Sequence, residues 1–247
     1  MAANSFAPSF VVEINGTGLT ADISKYIQQV SVVSERNSMD HFTLSVANPY
    51  PGMRWTHNAE DAKLFSIGNS VNISMGYVGE EQSMIAGEIT QINARFPSSG
   101  APTLDVQGHS RLHRLTRYRR SRAFREVSEK DIVETIAVDH GLTADIEEST
   151  ATATIHPDIQ QNNQTDLELL LERARQINYE ICVNDRMLVF RVVHNSGSPV
   201  AVLEWGKNLL NFTPNMNARG QVSTVTVRGY DPMAKREIIG RFMSQGG

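Results

Sequence analysis

A chain with one cysteine cannot close an internal disulfide, so Cys182 has to be either packing or a reactive thiol. It lies in the β-rich run Tyr179-Glu-Ile-Cys-Val183, where a buried filler is expected rather than a nucleophile. A chain without disulfides suits synthesis in a reducing compartment. Aromatic residues are also sparse, at 7%, and most fall at alternating core positions, unlike the exposed aromatic groove of a carbohydrate-binding module. Neither sign of charge dominates: the net charge is −4 and charged residues make up 20%, and nothing in these totals points to nucleic acid or a membrane surface as the main partner. No apolar run approaches the ~18 residues a membrane-crossing helix needs. The start, Met-Ala-Ala-Asn-Ser-Phe, has neither the basic nor the apolar region of a secretory signal.

Catalytic signatures are equally scarce. There is no H-E-x-x-H, no G-x-S-x-G, no P-loop and no paired-carboxylate pattern of a cell-wall hydrolase. The seven histidines are scattered, and the closest pair, His109 and His113, straddles a strand end, which does not suit a shared metal. Asp139 and His140 sit at the end of a predicted helix, where a cationic side chain favours the dipole. Gly16-Thr-Gly18 reads as turn chemistry, and Glu80-Glu81 and Glu147-Glu148 as loop carboxylates. The expectation is a protein that is not an enzyme and holds no cofactor and no metal.

The chain has ample β pattern and two well-marked helices. Between residues 6 and 112 the runs Ser9–Ile14, Ile27–Glu35, His41–Ala47, Ser70–Tyr77, Gln82–Asn93 and Pro102–His109 read as strands of a barrel or sandwich. Asn15-Gly16 is a hairpin signal, and Pro49–Gly68 is a long connection of the kind that docks against a partner. Ser128 with Asp131 caps a helix whose apolar face is Ile132, Val133, Ile136 and Ala137, with Gly141 as its stop. Thr165 and Glu168 form a capping box ahead of the stripe Leu167, Leu170, Leu171 and Ala174, widened by Leu169. A hairpin follows, Tyr179–Val183 and Met187–Val192 around Asn184-Asp185-Arg186. After the linker Asn195–Pro199, β character returns in Val200–Trp205 and Gln221–Tyr230, while Leu209–Arg219 is ambiguous.

Seven arginines, at 111, 114, 117, 119, 120, 122 and 125, precede the first helix. So dense a cluster is a solvated connector, a nucleic-acid contact or a subunit interface; the acidic chain and missing RNA- or DNA-binding context disfavour the second. An interface formed by Arg114, Arg117, Arg119, Arg120, Arg122 and Arg125 would use the guanidinium fork on a neighbour's carboxylates.

The combination R-x-R-x-F…S-x-x-D-I-V-x-x-I-A…G-L, then Q-N-N-Q-T-D-L-E-L-L-L-E-R-A-R-x-x-x-Y-E-I-x-V-N-D-x-x-L-V-F, then V-T-V-R-G-Y-D-P-x-x-K, resembles the late control D proteins of contractile-tailed phages. Those are similar to the N-terminal hub region of valine-glycine repeat spike proteins. The resemblance spans roughly residues 6 to 240 and implies a mainly β fold: a split tube-type β-barrel interrupted by a small two-helix plus hairpin insertion. Residues 1–112 and 196–240 would form the barrel and 113–195 the insertion, with 241–247 a tail or the start of a missing second barrel. The resemblance further implies a structural hub, made in the bacterial cytoplasm and assembled into a phage tail, a type VI secretion machine or an extracellular injection particle. Such a hub joins a six-fold inner tube to a three-fold spike. Its expected partners are itself as a homotrimeric ring, the inner tube protein, a spike tip and baseplate components, with no nucleic acid and no membrane insertion. A peripheral tail adaptor or carbohydrate-binding β-module is the alternative.

Overall fold

The computed structural model describes residues 7–47, 64–193, 199, 201–209, 211–214 and 223–243. Two compact units divide the chain, Met1–Asn195 and Ser196–Gly247. The first contains two separate apolar cores.

Its first core belongs to a curved antiparallel sheet. The strands are β1 (Pro8–Ile14), β2 (Thr17–Gly18), β3 (Ile27–Val33), β4 (His41–Ala47), β5 (Ser70–Tyr77), β6 (Gln82–Arg95) and β7 (Thr103–Ser110), with a one-turn helix α1 (Ala21–Ser24) before β3. They lie in the order β2-β1-β5-β6-β7-β4-β3. The Asn15-Gly16 signal does form the β1–β2 turn: both residues have positive φ, 52° and 77°, as a tight hairpin requires. The alternation in β4 buries Phe42, Leu44 and Val46 against Val12, Ile73, Ile89 and Val106. Gly108 is needed in β7 because a Cβ there would overlap the Phe42 ring and the Glu88 carbonyl. A register shift between Ile89 and Gln91 bends the long β6.

Among the described residues this sheet does not close. Beyond the two residues of β2, the outer edge of β1 is unpaired, and so is that of β3. The two edges face each other across an apolar cleft of about 460 Å³, lined by Phe10, Ile27, Val30 and Met75 among others.

The second core lies under an α+β lobe. A 3-10 helix (Arg111–Thr116) leaves β7 and leads through β8 (Arg119–Val127) to α2 (Glu129–Asp139), β9 (Thr143–Ile146) and α3 (Thr150–Ala153). Then come β10 (His156–Thr165), α4 (Asp166–Gln176) and the hairpin β11 (Tyr179–Asn184) and β12 (Met187–Val192). Both long helices start where their caps demand. The Ser128 hydroxyl accepts from the Asp131 amide and the Asp131 carboxylate accepts from the Ser128 amide at 2.8 Å; Thr165 and Glu168 repeat the exchange. At the end of α2, Gly141 (φ 67°) donates to the Val138 carbonyl and Leu142 to that of Ala137, so the stop is a Schellman motif with Leu142 buried beneath it. The faces of α2 and α4 meet through Ile132, Ile136, Leu170 and Ala174 and pack on Ile181, Leu188 and Phe190. Leu169 is buried and Leu171 only half-buried, so the stripe of α4 is rotated slightly from the expected one. Glu129, fully buried, pairs with Arg173 and with His156 at 3.1 Å, tying α2 to α4.

Two features depart from the sequence reading. The arginine stretch is strand β8, paired along its length with β10, rather than a connector. A short strand, β9, also joins the β11–β12 hairpin in parallel to β12. Neither β8 nor β10 alternates apolar with polar residues, so periodicity gave no sign of them.

In the second unit, β13 (Thr224–Asp231) and β14 (Arg236–Met243) form an antiparallel hairpin. The Asp231 carboxylate accepts from the Met233 and Ala234 amides at 2.9 Å and shapes its turn. The strand expected at Val200–Trp205 is not formed: residues 201–204 are irregular, and Trp205 makes only an isolated bridge to Leu209. The expected tail from 241 is part of β14 as far as Met243. Most of the Pro49–Gly68 connection, most of the 195–199 linker, part of Leu209–Arg219 and residues 244–247 lie outside the described residues.

Candidate functional site

Six of the seven arginines are placed against carboxylates of the same chain, and two buried carboxylates organise most of them. Glu88, on β6, is only 6% exposed. It accepts two hydrogen bonds from Arg114, with Arg111 Nε and His113 Nε2 each at 3.5 Å and Arg117 Nη2 at 3.8 Å. Burial works to raise its pKa, but the Arg114 hydrogen bonds and the charges of Arg114, His113 and Arg111 hold the carboxyl below its ordinary value.

Asp166 is the first residue of α4, where the helix start already favours an anion. It is 1% exposed and accepts from Arg122 Nη2 at 2.9 Å and Gln161 Nε2 at 2.8 Å, with His140 Nε2 at 2.7 Å and Arg120 Nε at 3.7 Å. Its pKa is also held down: the bonds from His140 and Gln161 and the two arginine charges outweigh burial. Asp139 Oδ2 takes one bond from Arg120 (2.9 Å) and one from Arg122 (3.0 Å). Arg119 pairs with Glu168 at 2.8 Å, and Arg111 reaches the exposed Asp185 in the β11–β12 turn. Arg122 also lies over the Phe124 ring at 4.7 Å. Arg125 is exposed, opposite Asp158 in the β8–β10 register, and makes no ion pair among the described residues.

The cluster therefore carries its own counter-charges. Arg111 and Arg114 bind the lobe to β6 of the sheet, while Arg119, Arg120 and Arg122 bind β8 to α2 and α4. Arg117 and Arg119 remain half-exposed. A polar cleft of about 440 Å³ opens beside them, lined by Arg114, Arg117, Tyr118, Arg120, Asp139 and His140, with Gly68 and Glu88 behind.

The histidines have defined roles. His113 Nδ1 faces the Ser110 carbonyl at 3.0 Å, which puts the proton there and leaves Nε2 to accept from Arg117 at 3.0 Å. Burial lowers its pKa and the Arg117 and Arg114 charges add to that, outweighing the Ser110 carbonyl and Glu88. His109, hydrogen-bonded to Thr90 at 2.9 Å, is lowered by burial and then by its neighbours His113 and His41. His140 points its ring at Asp166, so its role goes beyond the helix dipole. Cys182 is half-buried on the face of β11 opposite Ile181 and Val183, not the inward filler expected, and burial pushes its thiol up. Among the described residues no three histidine, cysteine or acidic side chains are grouped as metal ligands, and no helix is long and apolar enough to cross a membrane.

Sequence reasoning found the arginines and missed their carboxylates, which lie up to 74 residues away. Glu88 alone left a trace, as a single charge inside the apolar run Ile85-Ala-Gly-Glu-Ile89.

The fold is shared with phage tail proteins. The 43 kDa tail protein of prophage MuSo2 from Shewanella oneidensis superposes with a TM-score of 0.71 at 14% identity, over 96% of this chain and 69% of that one. A tail protein from Neisseria meningitidis MC58 gives 0.65 at 14% identity, over 97% and 68%. A chain of the Francisella PdpA-VgrG complex gives 0.52 at 14% identity, over 77% of this chain and 29% of that one. No curated protein sequence matches the chain. The family model described as the Alg8 N-terminal domain matches residues 5–243, nearly the whole length, and the chain belongs to the Alg8 N-terminal domain family.

Proposed function

We propose that this chain is a structural hub of a contractile injection machine, joining a six-fold inner tube to a three-fold spike and nucleating assembly. The observation that carries this reading is the likeness to a phage tail protein over 96% of the chain. The late control D motifs support it, because the two capped helices and the β11–β12 hairpin that carry them form one packed lobe. The role is mechanical rather than catalytic: the buried charges at the arginine cluster are tied to one another, as a rigid joint requires.

The same reading has residues 1–112 and 196–240 share one barrel, with 113–195 inserted. Strand direction supports it. All neighbours in the sheet are antiparallel, so β1 and β3, five steps apart, run in opposite directions. An antiparallel hairpin fits between two such edges with every pairing antiparallel, and β13–β14 is a hairpin of eight-residue strands. Added to the seven strands less the two-residue β2, it gives eight, a number whose interior side chains alone can fill.

Partners in this reading are two further copies of the chain, the inner tube protein, a spike tip and baseplate components. Arg114, Arg117, Arg119, Arg120, Arg122 and Arg125 face those neighbours, with Arg117, Arg119 and Arg125 the most available. The chain would be made in a bacterial cytoplasm and carried in the particle. Reconstruction of a particle by electron cryomicroscopy is the test: density for this chain on the axis between tube and spike is expected, and density only at the periphery makes it an adaptor instead.

A further inference from the structure

We propose that the polar cleft beside the arginine cluster seats a carboxylate-bearing side chain of a neighbouring protein, held by Arg117, Arg120 and Tyr118. The inference rests on the hub reading only in taking the neighbour to be a protein of the same particle.

Among the described residues most acceptors in the cleft are taken, and Asp139 Oδ1 is the one left open. Glu88 is occupied by Arg114, with the guanidinium groups of Arg111 and Arg117 also within 3.8 Å. Asp139 Oδ2 already serves both Arg120 and Arg122, and the His140 carbonyl accepts from Arg114 at 2.9 Å. Donors are in surplus. Arg117 uses Nη2 on His113, and its Nε and Nη1 have no partner among the described residues. Arg120 uses Nη1 on Asp139, with Nε near Asp166, and its Nη2 has no partner among the described residues. Tyr118, between them in sequence, is 67% exposed, and its hydroxyl has no partner among the described residues. A cleft whose open donors outnumber its open acceptors complements an anion.

Geometry and charge narrow the anion to a carboxylate. Open N–H donors from two guanidinium groups can meet its two oxygens. A space of about 440 Å³ takes an acidic side chain with some of its flanking chain. The net charge of −4 and the rim carboxylate Asp139 oppose a polyanion such as nucleic acid, whereas they tolerate one compact charge.

The test uses the full chain with ¹⁵N-labelled arginine and follows the Nε–H resonances. The probe is the blocked peptide acetyl-Gly-Glu-Glu-Gly-amide, with the Gln-Gln peptide as control and inorganic phosphate as a second anion. Saturable shifts of Arg117 are expected with the Glu peptide below about 10 mM, with at least about tenfold weaker binding of the Gln peptide. R120Q should abolish the Arg117 shifts and R117Q those of Arg120, with the backbone amide spectrum unchanged, and Y118F should weaken both. R125Q, outside the cleft, should respond as the parent does; should R117Q perturb the fold, R120Q and Y118F decide. Equal binding of the Gln peptide, or no saturation, overturns the proposal. So do phosphate binding about tenfold tighter than the Glu peptide, and R125Q losing the response as R117Q does. None of these outcomes depends on assembly, so a failed cleft leaves the hub reading standing, and a failed hub reading leaves the cleft measurable.

Discussion

At the scale of single residues, Glu88 carries the joint between sheet and lobe. Arg114 depends on it for its counter-charge, and Arg111, only 5% exposed, pairs with both Glu88 and Asp185. Removing one partner from such a group leaves uncompensated charge in a dry site, so Glu88→Gln should cost about 3–5 kcal/mol in urea unfolding. Arg117→Ala, at a half-exposed position, should cost under about 1 kcal/mol. Equal costs would mean that the network is surface decoration. The titrations have definite signs. His109 and His113 have folded pKa values below their ordinary 6.5, so the stability they contribute is complete above pH 6.5 and declines as pH falls below it. Glu88 and Asp166, also lowered, contribute fully above their ordinary 4.5 and 3.8 and lose that contribution as pH falls further. The urea midpoint should therefore be level above pH 7 and fall in two stages, and His113→Gln should shrink the upper stage. A midpoint that rises between pH 6.5 and 5 contradicts this assignment.

At the scale of elements, the helices were legible because their ends are written in local chemistry. The Ser128–Asp131 and Thr165–Glu168 exchanges and the Gly141 stop involve residues a few positions apart. Ser128→Ala should cost about 1 kcal/mol, and Gly141→Ala a similar amount because an L residue is strained at φ 67°; thermal melts of the two variants check both. The strands of the sheet were legible wherever apolar and polar residues alternate, as in β4. The pair β8–β10 was not, because its arginines face Asp158, Gln161, Gln164 and Thr165 across it and its stability rests on ion pairs with distant Asp139, Asp166 and Glu168. In the stretch expected as the strand Val200–Trp205 the opposite error arose: residues 201–204 have no strand partner among the described residues and stay irregular. The arginines were visible as a concentration of charge; the structure that neutralises them was not, since pairing across 17 to 74 residues leaves no local pattern.

At the scale of the whole molecule, the account turns on closure of the barrel and then of a ring. The hairpin β13–β14 carries Val225, Val227, Ile238, Ile239 and Phe242, more apolar surface than two strands can bury between them. If it completes the barrel, Val225 and Thr226, on opposite faces of β13, must respond differently to charge. One of Val225→Asp and Thr226→Asp should cost about 2 kcal/mol or more and the other little; two small and equal costs in urea unfolding would leave the hairpin outside the barrel.

A hub must also hold by large symmetric interfaces, since it transmits force and does no chemistry. The central claim is therefore tested most directly by native mass spectrometry of the chain released intact from assembled particles. A closed complex of three copies is the result this account predicts, and a single copy, or one copy bound to a peripheral protein, would contradict it.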